Sequence, residues 1–158
     1  MKQKAISLLI VLGISFVSCV DNEEYIPSLA VYLELDMKFE DKVLRDKLGY
    51  KAYIQENAGK DFIAGKEFVG YGGVLVINTI SEGYRAFDLA CAEEAVSSIR
   101  VQVDDNGLYA TCPVCGTIYE VGDNGTGWAT NSANPKLHLR RYTVTERGNG
   151  ELIVTNSR

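Results

Sequence analysis

Histidine occurs once in this 158-residue chain, as His138, and tryptophan once, as Trp128. There is no internal repeat, no coiled-coil heptad, no glycine-rich phosphate loop and no G-x-S-x-G elbow. Ser, His and Asp all occur, but no motif brings them together, so nothing supports hydrolytic chemistry. The apolar run Ile6 to Val17 is too short to span a membrane stably. Positive charge is not in excess either. The formal net charge is −5, which argues against a nucleic-acid partner. What the chain does hold is 15 Gly and 9 Tyr, a lean toward β structure with turns, in a length that suits one domain.

The first 18 residues read as a secretory signal and not as part of the fold. Lys2 and Lys4 form a positive start, Ile6 to Val17 an apolar core, and Ser18-Cys19 a small residue before cysteine. The terminal cysteine makes the segment resemble the bacterial lipoprotein class. That resemblance implies a diacylated Cys19 as the mature N-terminus and a membrane partner through the lipid. The alternatives are an ordinary signal peptide or a single anchor helix. Cleavage would remove Lys2 and Lys4 and move the formal charge from −5 to −7. Asp21, Asn22, Glu23 and Glu24 follow directly. The run resembles the signal that sends some Gram-negative lipoproteins to the outer leaflet; the alternative is a solvated tether. The resulting division is a signal over 1–18, an acidic tether over 19–28 and a β domain over 29–158. The implied location is exported and lipid-anchored to the outer membrane, on its periplasmic or cell-surface face.

Within the domain, Leu29, Val31, Leu33 and Leu35 alternate with more polar residues and predict a half-buried strand. Residues 38–49 fit a short helix or an irregular loop. Tyr50 to Gln55 predicts a strand and Glu56 to Lys66 a loop. Phe68 to Asn78 predicts one strong strand, apolar on both faces at Val74 to Ile77. Its Gly70, Gly72 and Gly73 suggest a bulge or a close backbone approach. Tyr84 to Leu89 leads into Cys91. Asn106-Gly107 between β-like runs predicts a hairpin whose second strand delivers Cys112. Ile118 to Val121 leads away, and Asn149-Gly150 turns the last two strands.

The stretch Cys112-Pro113-Val114-Cys115-Gly116-Thr117-Ile118-Tyr119 is a C-P-x-C-G knuckle, a turn that aims two sulfurs at one point. Cys91-Ala92-Glu93 lies upstream, with 18 residues between Glu93 and Cys112. The two loops resemble the Rieske domain, over roughly residues 66–155. That family supplies C-x-H from one loop and C-P-x-H-G-S/T-x-Y/F-D/E from the next, and holds a [2Fe–2S] cluster on two Cys and two His. Cys91 and Cys112 match the cysteine ligands. Gly116, Thr117, Tyr119 and Glu120 match the tail of the second motif. Glu93 and Cys115 stand where the histidines belong. The resemblance implies an all-β fold: Rieske-like antiparallel sheets with a small two-loop ligand subdomain. It implies hydroxyl groups of Thr117 and Tyr119 that bond to cluster sulfur and raise its potential. It also implies that Pro135 to Tyr142 returns the chain beside the cysteine loops.

Three readings of the cysteines stay open. Cys91, Glu93, Cys112 and Cys115 bind a metal, with zinc or iron as candidates and a [2Fe–2S] cluster with an unusual ligand set conceivable. Or two cysteines form a disulfide between the loops, as export favours. Or the thiols are free. Tyr119 outside such a centre reads as a half-buried strand aromatic. His138 reads as solvent-facing or structural, and Trp128 as the cap of a small core. Two functions follow: a lipoprotein with a degenerate Rieske-like domain and no enzymatic role, or an electron-transfer protein with an iron–sulfur cluster, an oxidoreductase-type module. Either would have a redox or surface partner that the sequence does not name.

Overall fold

The computed structural model describes residues 25–55 and 68–157. Residues 1–18, where a signal segment is expected, Cys19, the acidic run and the whole of the expected 56–66 loop lie outside the described residues. Among the described residues, ten strands form two antiparallel sheets, and a 3₁₀ turn spans Lys42–Arg45. The all-β antiparallel expectation holds, and the 38–49 ambiguity resolves to that turn. No helix among the described residues is long and apolar enough to cross a membrane.

The strands are β1 (Val31–Asp36), β2 (Tyr50–Tyr53), β3 (Phe68–Val69), β4 (Val74–Thr79), β5 (Gly83–Asp88), β6 (Gln102–Val103), β7 (Tyr109–Thr111), β8 (Ile118–Glu120), β9 (Arg141–Arg147) and β10 (Glu151–Asn156). The seven-stranded sheet runs β2-β4-β5-β9-β10-β1-β3, and the smaller sheet runs β6-β7-β8. The smaller sheet belongs to the two-loop subdomain. It carries the Cys112 knuckle between β7 and β8, with Ala110 opposite Tyr119.

Strand β4 explains how the two halves join. All six of its residues are buried. Side chains alternate across a strand, so Val74 and Val76 enter one core while Leu75 and Ile77 enter the other. The first core gathers Val31, Leu33 and Leu35 of β1 with Leu152 and Val154 of β10, so the large sheet curls around it. The second holds Cys91, Cys112, Tyr119, Leu137 and Leu139 with Phe87 of β5. The return of Pro135 to Tyr142 beside the cysteine loops is therefore observed, through Leu137 and Leu139. Ile26 is buried and Tyr25 packs against this second core, so the folded body already includes both residues.

The long strand expected over Phe68 to Asn78 is instead two, β3 and β4, separated by a turn. The turn exists because the chain wraps a buried carboxylate. Asp88, fully buried, accepts from the Gly72 and Ala90 amides on Oδ1, at 2.9 and 2.8 Å. Its Oδ2 accepts from the Tyr71 amide at 3.0 Å and the Tyr142 hydroxyl at 2.6 Å. A Cβ on Gly72 would lie 2.5 Å from the Ala90 nitrogen and 2.8 Å from Asp88 Oδ1. This is the close backbone approach that the glycines signalled.

Candidate metal centre

Each cysteine is placed by a different piece of local structure. Cys91 follows β5 and starts a short loop. Its amide donates to the Ile99 carbonyl and its carbonyl accepts from Ala95, both at 2.9 Å. The Asp88 bond to the Ala90 amide fixes the residue just before it. Cys112 follows β7; its amide donates to the Thr117 carbonyl and its carbonyl accepts from Gly116. Gly116 takes φ +72, and nothing lies within 4 Å of where its Cβ would be. Glycine is needed there for its backbone conformation and not for space. The knuckle thus folds back on itself and brings Cys115 over Cys112.

The three sulfurs meet. The ligand atoms of Cys91, Cys112 and Cys115 all lie within 4.8 Å of one another, with Cys91 Sγ to Cys115 Sγ at 3.6 Å. All three are free cysteines, so no disulfide joins the loops. Cys91 and Cys112 are buried, and Cys115 is exposed. The Cys115 side opens on a depression of about 450 Å³ lined by Tyr25, Glu93, Thr117, Asn134 and Leu137, among others.

Two hydroxyls face the sulfurs. Tyr119 Oη lies 3.3 Å from Cys91 Sγ and accepts from the Glu93 amide at 3.4 Å. Thr117 Oγ1 lies 3.2 Å from Cys115 Sγ. Tyr119 is fully buried. It is therefore not the half-buried strand aromatic that sequence alone allowed, since its hydroxyl has a defined task inside the core.

The environment splits the thiols. Burial pushes Cys91 up to about 12; bonds from the Tyr119 hydroxyl and the Glu94 backbone oppose this without cancelling it. Burial is also the largest single influence on Cys115 and acts upward. Bonds from the Thr117 hydroxyl and amide, then from Cys112 and Cys91, outweigh it, so its pKa falls below the ordinary thiol value. Burial and the neighbouring Cys91 hold Tyr119 well above the usual phenol range. The site thus sets a buried Cys91 thiol that resists ionisation beside an outer Cys115 that ionises more readily.

Glu93 stands apart from the sulfurs. Its side chain is exposed, and the group of converging ligand atoms consists of the three sulfurs alone. Glu93 contributes its amide to Tyr119 and its side chain to the rim. His138 is half-buried on the surface, with its ring 4.9 Å from that of Trp128. Trp128 is 40% exposed and does not cap a core. Glu120 anchors the glycine-rich loop. Its carboxylate accepts from the Asp123, Gly125 and Thr126 amides and from the Thr126 hydroxyl.

Sequence reasoning missed Asp88. Its signal was present, as an acidic residue ending an apolar strand, with a Tyr-Gly-Gly turn to receive it.

No family model matches the chain, and no curated protein does. Two solved structures are similar in chain path. One is described as the complex of reduced oxygenase and oxidized ferredoxin in carbazole 1,9a-dioxygenase. It is 14% identical with a TM-score of 0.47, over 81% of this chain and 95% of that one. The other is a protein from Mycobacterium tuberculosis provisionally named an NADH-dependent nitrite reductase small subunit. It is 13% identical with a TM-score of 0.43, over 82% of this chain and 98% of that one. Neither similarity assigns the chain to a family.

Proposed function

We propose that this chain is an exported, lipid-anchored protein whose Rieske-like pair of loops holds one thiophilic metal ion on Cys91, Cys112 and Cys115, in place of a [2Fe–2S] cluster. The observation that carries the reading is the convergence of three sulfurs from two loops within 4.8 Å. Thiolate–zinc bonds of about 2.3 Å in a tetrahedron place neighbouring sulfurs about 3.8 Å apart. A disulfide needs about 2.0 Å. The 3.6 Å separation of Cys91 and Cys115 matches the former.

The two-Cys, two-His cluster does not fit these residues. Glu93 and Cys115 occupy the positions of its histidines, and His138 is engaged with Trp128. For a single ion, the three sulfurs would be the protein ligands, with the solvent side left open toward the depression. Zinc would cross-link the loops; iron would add one-electron chemistry. Thr117 and Tyr119 would hold the sulfurs in place by their hydroxyls. The membrane attachment rests on the Ser18-Cys19 junction and the apolar run before it.

A second reading is electron transfer. It is favoured by the hydroxyl–sulfur bonds at Cys91 and Cys115, the arrangement that the Rieske resemblance associates with a raised potential. Elemental analysis of protein made and purified without oxygen tests both. One zinc or iron per chain, lost on Cys91→Ser, Cys112→Ser or Cys115→Ser, is the expected result. Protein without bound metal that also gives no sulfur-to-cobalt charge transfer on cobalt(II) addition would refute the metal site. A rhombic reduced-state EPR signal would show that a Rieske-type cluster is present after all. Fatty acid on Cys19, and release from the membrane by Cys19→Ala, test the anchor separately.

A further inference from the structure

A groove of about 360 Å³, a size common for small-molecule sites, shares Tyr25 with the cysteine depression. Trp128, His138, Arg140 and Arg141 line it with Tyr25. The Trp128 ring is 40% exposed and lies tilted against His138, 4.9 Å between centroids. His138 Nδ1 is 2.7 Å from the Lys136 carbonyl oxygen. A carbonyl only accepts, so Nδ1 carries the proton and Nε2 is the acceptor of the neutral ring. The aromatic pair is thereby fixed in orientation.

The arginines supply the opposite character. Arg140 is only 8% exposed, and its Nε donates to the Ile26 carbonyl at 3.2 Å, one of its contacts. Arg141 is exposed; its Nε donates to the Thr126 carbonyl at 3.0 Å and its Nη2 donates to the same oxygen. A neutral carbonyl orients a guanidinium without cancelling its charge. Burial, and then the charge of Arg85, hold Arg141 below its ordinary pKa, while Glu120 acts in the other direction. Arg85 itself is paired with Glu82 at 3.0 Å, and the Glu120 oxygens accept from the 123–126 loop. Two guanidinium groups, Arg140 and Arg141, thus line this groove on a chain whose net charge is −5, with the Glu120 carboxylate turned into its own loop.

We propose that the groove binds a small aryl carboxylate, its ring against Trp128 and its carboxylate on the Arg141 guanidinium. The planar fork of arginine matches a carboxylate, and the indole face matches a flat ring. The proposal is independent of the metal reading. Trp128 is the only tryptophan, so the tryptophan emission of the full-length protein comes from this groove. Titration with benzoate is expected to change that emission saturably, and benzamide, the neutral analogue, to bind at least ten-fold more weakly. Arg141→Gln should weaken benzoate at least ten-fold without altering metal content, and Arg141→Lys should fall between. No saturable response to benzoate, equal binding of benzamide, or wild-type affinity in Arg141→Gln would each overturn the site.

Discussion

Tyr119 lays its hydroxyl 3.3 Å from the Cys91 sulfur, and both side chains are fully buried. A buried hydroxyl placed on a sulfur restricts where that sulfur points. It also satisfies the Glu93 amide at 3.4 Å. Tyr119→Phe keeps the ring and removes both contacts. The expected cost is about 1–2 kcal/mol in urea unfolding, because one buried amide loses its acceptor and one thiol its partner. In the cobalt(II)-loaded protein, the sulfur-to-cobalt band should also shift. Unchanged unfolding in both metal-free and loaded protein would refute this role of the hydroxyl.

Asp88 ties three parts of the chain to one carboxylate, through Tyr71 and Gly72, Ala90, and Tyr142. Asp88→Asn keeps the shape but turns an NH₂ group toward donors. A buried group left facing donors costs about 2–4 kcal/mol. The Ala90 amide should then exchange faster, since Ala90 is the residue that sets Cys91 in place. Hydrogen exchange and urea unfolding of the variant check both effects. Wild-type protection at Ala90 would show that Asp88 does not position the first cysteine loop.

Local pattern accounts for the parts that were legible. Continuous apolar residues from Val74 to Ile77 imply burial on both faces, and β4 is buried throughout. The Asn106-Gly107 hairpin and the Cys112 knuckle are short-range geometry, readable from residue type. The split between β3 and β4 was not readable, because its cause is Asp88, which lies 15 or more residues further along. Glu93 could not be placed either. In an irregular loop no periodicity says which way a side chain points, and it points to solvent. The Trp128–His138 pair joins two loops through an isolated bridge, a pairing without a strand signal.

The raised pKa of Cys91, pushed to about 12 chiefly by burial, makes metal binding depend on pH. A thiol binds metal only after losing its proton, so metal and proton compete. From Cys91 alone, cobalt(II) affinity should rise by at least about ten-fold per pH unit between roughly pH 6 and 8. In the metal-free protein the sign is set by a folded pKa above the unfolded one. The stability contributed by the buried neutral thiol is fully present below the ordinary value of 9.0, and is lost as pH rises toward about 12. Cys91→Ala should remove that alkaline loss. A pH-independent cobalt(II) affinity would contradict the burial argument.

Glu120 gives the opposite dependence. Burial alone would raise its pKa, but bonds from the Thr126 hydroxyl and amide and from the Asp123 and Gly125 amides outweigh it, and the pKa falls. A folded pKa below the unfolded one means stability that is present above the unfolded carboxylate value, about 4.3, and is lost as pH falls through the folded one. The loss should appear first in the 123–128 loop, because Trp128 is held there on both sides. Its amide donates to the Thr126 hydroxyl oxygen, and its carbonyl accepts from the Glu120 amide at 2.9 Å. Acid should therefore shift Trp128 emission before global unfolding. In Glu120→Gln the emission should be shifted already at pH 7 and should respond less between roughly pH 5 and 3. Emission from that variant that matches wild type at pH 7 and titrates identically would show that the carboxylate does not hold the loop.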